Sequence, residues 1–80
     1  MRKTIHDPRY VKLISRLRRR RRELGLSQDA LARKLGVGST WVAKVETCER
    51  RLDVLETIDL LRALDIELHE AVRLVQEGRL

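Results

Sequence analysis

Apolar side chains recur at three- and four-residue intervals along this chain, the spacing of one helix face, and nowhere alternate as they would in a strand. The punctuation between the apolar stripes predicts five helices. Asp7-Pro8 opens the first, since Asp caps well and Pro fits the first helical position. Tyr10, Leu13, Ile14, Leu17 and Leu24 follow as its stripe, and Gly25 ends it. The stripe passes through five consecutive arginines, residues 18–22, and puts Arg20 and Arg21 where an apolar residue would fall. Ser27 caps a second helix with Ala30, Leu31 and Leu35 on one face and Gly36 as its stop. A third runs from about Gly38-Ser39 to Glu46 and buries Val42 and Val45. After the polar stretch "TCERR", Asp53 and Glu56 form a capping box for a fourth, with Val54, Leu55, Ile58, Leu61 and Leu64 as its apolar set. Residues 67–77 make a fifth, carrying Leu68, Ala71, Val72, Leu74 and Val75, and Gly78 closes it. The fold class is therefore all-α, with an aliphatic core: Phe is absent and Tyr10 and Trp41 are the only aromatic residues.

Two of these helices, joined by "LGVG", have the helix-turn-helix arrangement, whose second helix enters the DNA major groove. Leu31 and Leu35 must meet Val42 and Val45, Gly36 supplies a left-handed turn, and Val37 plugs the corner. Ser39, Thr40, Ala43 and Lys44 are then left facing outward from the third helix. Charge points the same way. Residues 1–51 hold 15 basic and 5 acidic side chains, whereas residues 52–80 hold 3 basic and 7 acidic. A field so lopsided, on a chain of net charge +6, suits a polyanion on one side.

The stretches "GLSQDALARKLGVGSTWVAKVE" and "ERRLDVLETIDLLRALDI" resemble the lambda-repressor/Cro-like (XRE-type) helix-turn-helix family over about residues 13–66. The markers match in order: Gly25, Ser27-Gln28, Leu31-Ala32, Leu35-Gly36, Val42, Val45-Glu46, Leu60 and Ala63-Leu64. The resemblance implies a compact five-helix domain that acts as a homodimer on double-stranded DNA, at an inverted-repeat operator. It implies a buried pair between Arg21 and Glu46, and phosphate contacts by Arg18, Arg20, Ser27, Gln28, Thr47, Arg50 and Arg51. Arg19 and Arg22 are read as solvated charges. Base readout falls to Ser39, Thr40 and Lys44, with Ala43 allowing close approach. Lys44 is balanced between guanine and phosphate, and Trp41 between the fourth helix and a sugar–phosphate edge. Where many relatives have a Gly after Glu46 and its neighbour, this chain has Cys48. A left-handed Cys there costs on the order of 1 kcal/mol, or the loop takes another shape.

The fifth helix lies mostly beyond the family core, and its wide stripe of Leu68, Ala71, Val72, Leu74 and Val75 reads as a dimer interface. Residues 1–80 are read as a single domain, since no linker or repeat divides them. A lone cysteine and the want of an apolar leader or span predict a soluble cytoplasmic protein associated with the nucleoid. His6 and His69 lack companion ligands, so no metal is expected. No nucleophile–base set appears, so neither an enzyme nor a cofactor is expected. The reading is a dimeric transcriptional repressor, an autorepressor of a small phage, mobile-element or restriction–modification operon. The alternative is an antitoxin whose acidic C-terminal half, with Asp59, Asp65, Glu67 and Glu70, binds a toxin protein. A second rival, a nonspecific DNA- or RNA-coating protein, would show a specificity ratio near one.

Overall fold

A computed structural model describes residues 7–77; the expected stop at Gly78 and the reading of His6 lie outside them. Among the described residues the chain forms five helices and no strand: α1 Pro8–Glu23, α2 Gln28–Leu35, α3 Ser39–Glu46, α4 Val54–Ala63 and α5 Leu68–Glu77. Asp7 caps α1 by accepting from the Arg9 amide, Ser27 caps α2 from Ala30, and Asp53 and Glu56 complete a capping box on α4.

Four helices stop in one way. The amide two or three residues past the helix end reaches back five residues, from Leu26 to Arg21, Val37 to Ala32, Glu49 to Lys44 and Ile66 to Leu61. That closure needs a left-handed residue just before the returning amide. Gly25 and Gly36 fill it twice, at φ 73° and 74°, and Cys48 and Asp65 fill it at φ 61° and 58°. The loop after α3 thus keeps the glycine-type turn with a cysteine in it, and accepts the strain.

Twelve buried aliphatic residues form the core: Ile14 and Leu17 of α1, Leu31 and Ala32 of α2, Val42 and Val45 of α3, Leu60, Leu61, Ala63 and Leu64 of α4 and its end, Ile66, and Ala71 of α5. α2 packs on α3 and α4, and α1 on α3 and α5. Three expectations need correction. Leu24 stands exposed at the end of α1. Val54 and Leu55 are 74% and 72% exposed, because the first turn of α4 is left uncovered and the core draws on Leu60, Leu61 and Leu64 instead. Ala71, expected at a subunit interface, is 5% exposed: its small side chain lies inside the chain's own core.

Among the described residues, Arg21 is the charged residue that is buried as a whole. Its Nε and Nη2 donate to the two carboxylate oxygens of Glu46 at 2.6 and 3.0 Å, and its Nη1 donates to the Leu26 carbonyl at 2.7 Å. Both side chains are under a tenth exposed, at 8% and 9%. Burial alone would raise the Glu46 pKa, but hydrogen bonds from Arg21 and Gln28, with the charges of Arg21 and Arg18, hold it below the ordinary glutamate value.

Replacing Arg21 by Met strands the buried carboxylate, and denaturant unfolding at neutral pH should show a loss of about 3–5 kcal/mol. In the wild type, Glu46 has a lowered folded-state pKa, so its contribution is present above the unfolded value of about 4.3 and lost as pH falls below it. In Arg21→Met the folded pKa is raised, so acidification relieves the variant. The stability gap should therefore narrow on going from neutral pH into the acid range; a constant gap would contradict the buried pair.

Candidate nucleic-acid interface

The α2–α3 unit presents one face built from three segments. Gly36 ends α2, Val37 packs against the core, and Gly38 opens α3 without a side-chain cap. Val42 and Val45 turn inward, which leaves Ser39, Thr40 and Lys44 exposed and Ala43 half-buried on the outer side. The Lys44 ammonium has no hydrogen-bond or ion-pair partner among the described residues.

Behind this face, Glu46 gathers several of the predicted site residues. Besides Arg21, it accepts from the Gln28 amide at 2.9 Å, and the exposed Arg18 brings its Nε within 3.8 Å. One carboxylate therefore fixes the end of α3 against α1 and the first residue of α2. Gln28, which showed no core duty in its spacing, has a structural partner. Ser27 accepts from the Ala30 amide at 3.0 Å as the cap of α2.

Other predicted residues are drawn elsewhere. Arg20 points about 200° around α1 from Arg18, and its Nε donates to the Leu64 carbonyl at 3.0 Å. Lys34 donates to the neighbouring Ala63 carbonyl at 2.9 Å, so two cations from α1 and α2 close the C-terminal end of α4. Arg20 is thereby separated from the Arg18–Glu46 group and engaged with the end of α4. The Thr47 hydroxyl lies 3.2 Å from the Lys44 carbonyl and 3.0 Å from a Glu49 carboxylate oxygen, an acidic neighbour ill suited to a phosphate.

Arg50 is likewise held against the fold, with its side chain still partly exposed. It donates to both Glu56 oxygens at 2.9 and 2.8 Å and stacks over Trp41, 5.2 Å from the ring centroid. Glu56 also accepts from the Asp53 amide, and the Tyr10 hydroxyl accepts from the Leu52 amide at 3.1 Å. The loop between α3 and α4 is thus pinned at both ends, and Arg51 is presented exposed on it. Spacing alone missed these latches. The capping box marked Glu56, but not that its carboxylate also takes Arg50; Lys34 and Arg16, paired with Glu70 at 3.3 Å, gave no periodic signal.

The described residues hold no group of three or more His, Cys, Asp or Glu that could bind a metal ion, and no helix of theirs is long and apolar enough to cross a membrane. A family model described as a helix-turn-helix domain matches residues 13–74. Among solved structures, an XRE-family like protein from Pseudomonas syringae pv. tomato str. DC3000 is 34% identical, covers 96% of this chain and 94% of its own, and superposes with a TM-score of 0.84. No curated protein matches the chain.

Arg50→Ala should leave the helices intact yet loosen the α3–α4 loop. Amide hydrogen exchange of residues 47–53 should speed up several-fold, with protection of the α1 and α2 core amides retained. Unchanged exchange in the loop would mean that Glu56 and Trp41 hold nothing there.

Proposed function

This chain belongs to the XRE-type helix-turn-helix family of DNA-binding regulators, and we propose that it is a dimeric repressor of an inverted-repeat operator, its own promoter included. The observation that carries the reading is the outer face of α3. Short polar side chains and an unpaired Lys44 stand there on a helix locked from behind by Glu46. A rigid backing is what a reading helix needs, since displacements of a few tenths of an ångström spoil hydrogen bonds to base edges.

Ser39, Thr40 and Lys44 read bases, with Ala43 permitting close approach; Lys44 donates to guanine O6 and N7. Arg18, Ser27, Gln28 and Arg51 flank them and meet phosphates, the positioning contacts that carry most of the salt dependence. Two such faces related by a two-fold axis would engage half-sites about 34 Å apart, one turn of DNA. A bound dimer blocks polymerase at the promoter, and its place of work is the nucleoid.

The DNA immediately upstream of the gene, searched for an inverted repeat, is the test ligand. Binding there should exceed binding to mixed-sequence DNA by about 10³-fold or more; a ratio near one sinks the repressor reading. Lys44→Ala should relax the preference at a single operator position. Arg51→Ala should weaken all sequences alike and lower the salt slope by about one.

Dimerisation rests on the apolar side chains that the fold leaves uncovered. Leu68 and Val72 of α5 are 56% and 48% exposed, Leu74 and Val75 are half-buried, and Val54 and Leu55 add exposed apolar area on α4. Burying each such side chain contributes up to about 1.5–3 kcal/mol. Leu68→Glu with Val72→Glu should therefore give a folded monomer in sedimentation, with operator affinity down by at least about tenfold. A dimer that survives both changes places the interface elsewhere.

A further inference from the structure

We infer that α1 carries a second phosphodiester-binding surface, on the side turned away from α3, with which the protein holds a second segment of nucleic acid. This rests on the reading of α3 as the DNA-contacting helix.

The five-arginine run and its neighbours divide by direction. Arg21 faces α3 through Glu46, and Arg20 faces the end of α4 through the Leu64 carbonyl. Arg16 is drawn to α5, with Glu70 at 3.3 Å and Glu23 at 3.7 Å. Lys12 lies nine residues from Arg21, about two and a half turns, which sets it on the opposite side of the helix; Arg19, two residues before Arg21, falls within about 20° of Lys12. Neither Lys12 nor Arg19 has a hydrogen-bond or ion-pair partner among the described residues. With Ser15, Arg16 and Leu74 they line a groove of about 210 Å³ between α1 and α5.

Geometry keeps this groove off the duplex that α3 engages. Arg21 faces the end of α3 through Glu46, and Lys12 and Arg19 lie on the opposite side of α1 from Arg21. Lys12 and Arg19 are seven residues apart, about 10 Å along the axis, close to the roughly 12 Å width of a major groove. Their side chains can therefore take phosphates on its two edges, with the Ser15 hydroxyl as a further donor between them.

An acidic protein surface, including the acidic α4–α5 half of another copy, would also suit the charge. Magnitude favours nucleic acid. Exposed carboxylate–cation pairs contribute about 0–1 kcal/mol each and often nothing. Each phosphate contact instead releases condensed counterions, with a salt slope of about 0.9 per contact. Leu74 is the one apolar residue lining the groove, so the two exposed cations set its character and gain far more from a polyanion.

A bead-bound duplex of the sequence upstream of the gene, loaded with protein and washed, should capture a fluorescent mixed-sequence duplex from solution. Lys12→Gln with Arg19→Gln should keep binding to the bead-bound duplex within about twofold but reduce capture at least tenfold, and lower the salt slope of capture by about two. Circular dichroism should show an unchanged fold, since both side chains are exposed. Capture by the double variant equal to wild type would mean that the reading heads do the bridging, and would overturn the proposal. Displacement of the second duplex by poly-glutamate more readily than by competitor DNA would overturn it in favour of an acidic protein. If Lys44→Ala left the first duplex bound while the α1 variant lost it, the reading of α3 would fail and the two-segment arrangement with it. If Lys44→Ala weakened the first contact and the α1 variant the second, both would stand.

Discussion

The Arg21–Glu46 pair is the constraint on which the rest of this small protein depends. Two charges are taken almost wholly out of water, a step that costs several kcal/mol per ion unless geometry and further hydrogen bonds offset it. Here they do: both carboxylate oxygens are engaged by the guanidinium, its third nitrogen donates to the Leu26 carbonyl, and Gln28 donates to the same carboxylate. Residues from α1, the entry to α2 and the end of α3 thus meet at one carboxylate. Hydrophobic pairs of like volume are often as stable as a buried ion pair, but such a pair would not fix the angle of α3 through directed bonds. For a helix whose outer side chains must meet base edges, direction matters more than net stability.

The arginine run shows how far a sequence signal can mislead when taken as a unit. Five adjacent like charges on a helix repel one another at i,i+4. The fold relieves this by sending neighbouring side chains to different partners. Arg21 goes to Glu46, Arg20 to the Leu64 carbonyl with Glu23 and Asp65 within 3.8 and 4.0 Å, and Arg16, four residues before Arg20, to Glu70. What remains exposed is spread around the helix rather than stacked on one side. Consecutive residues in a helix point 100° apart, so a run of identical residues necessarily serves several surfaces.

The helices were legible because their ends carry local chemistry. Caps at Asp7, Ser27 and Asp53, and stops at Gly25 and Gly36, act within four or five residues, a range over which sequence order and spatial neighbourhood coincide. Cys48, marked as a left-handed candidate only through the family resemblance, adopts the same stop, and so does Asp65, which carried no signal of it. The long-range partners were legible less well. Twenty-five residues separate Arg21 from Glu46 and forty-four separate Arg20 from Leu64, and no periodicity links them; only family resemblance suggested the first. Backbone carbonyls at the end of α4 were invisible as partners, since every residue has one and the sequence does not say which is left over. The exposed Val54 and Leu55 failed for a related reason. Helical spacing identifies a face, but not how far along the helix its neighbours extend to cover it.

The charge asymmetry between the two halves of the chain gains a physical meaning from this arrangement. The acidic residues of α4, α5 and the loop between them are not set simply against the basic ones as a counterweight: Glu56 and Glu70 reach back to Arg50 and Arg16, while Asp59, Asp65 and Glu67 remain exposed. A basic residue drawn into such a pair is less available to a phosphate than one that is not. The number of cations in the sequence therefore overstates the polyanion surface; Lys12, Arg19, Arg22, Arg33, Lys44 and Arg62 are the described ones with no side-chain partner among the described residues. On the α3 face that leaves Lys44, with Arg18 only loosely approached by Glu46; on the far side of α1 it leaves Lys12 and Arg19. A helix-turn-helix protein of this size is thus better described by which arginines its own carboxylates and carbonyls have occupied than by its net charge.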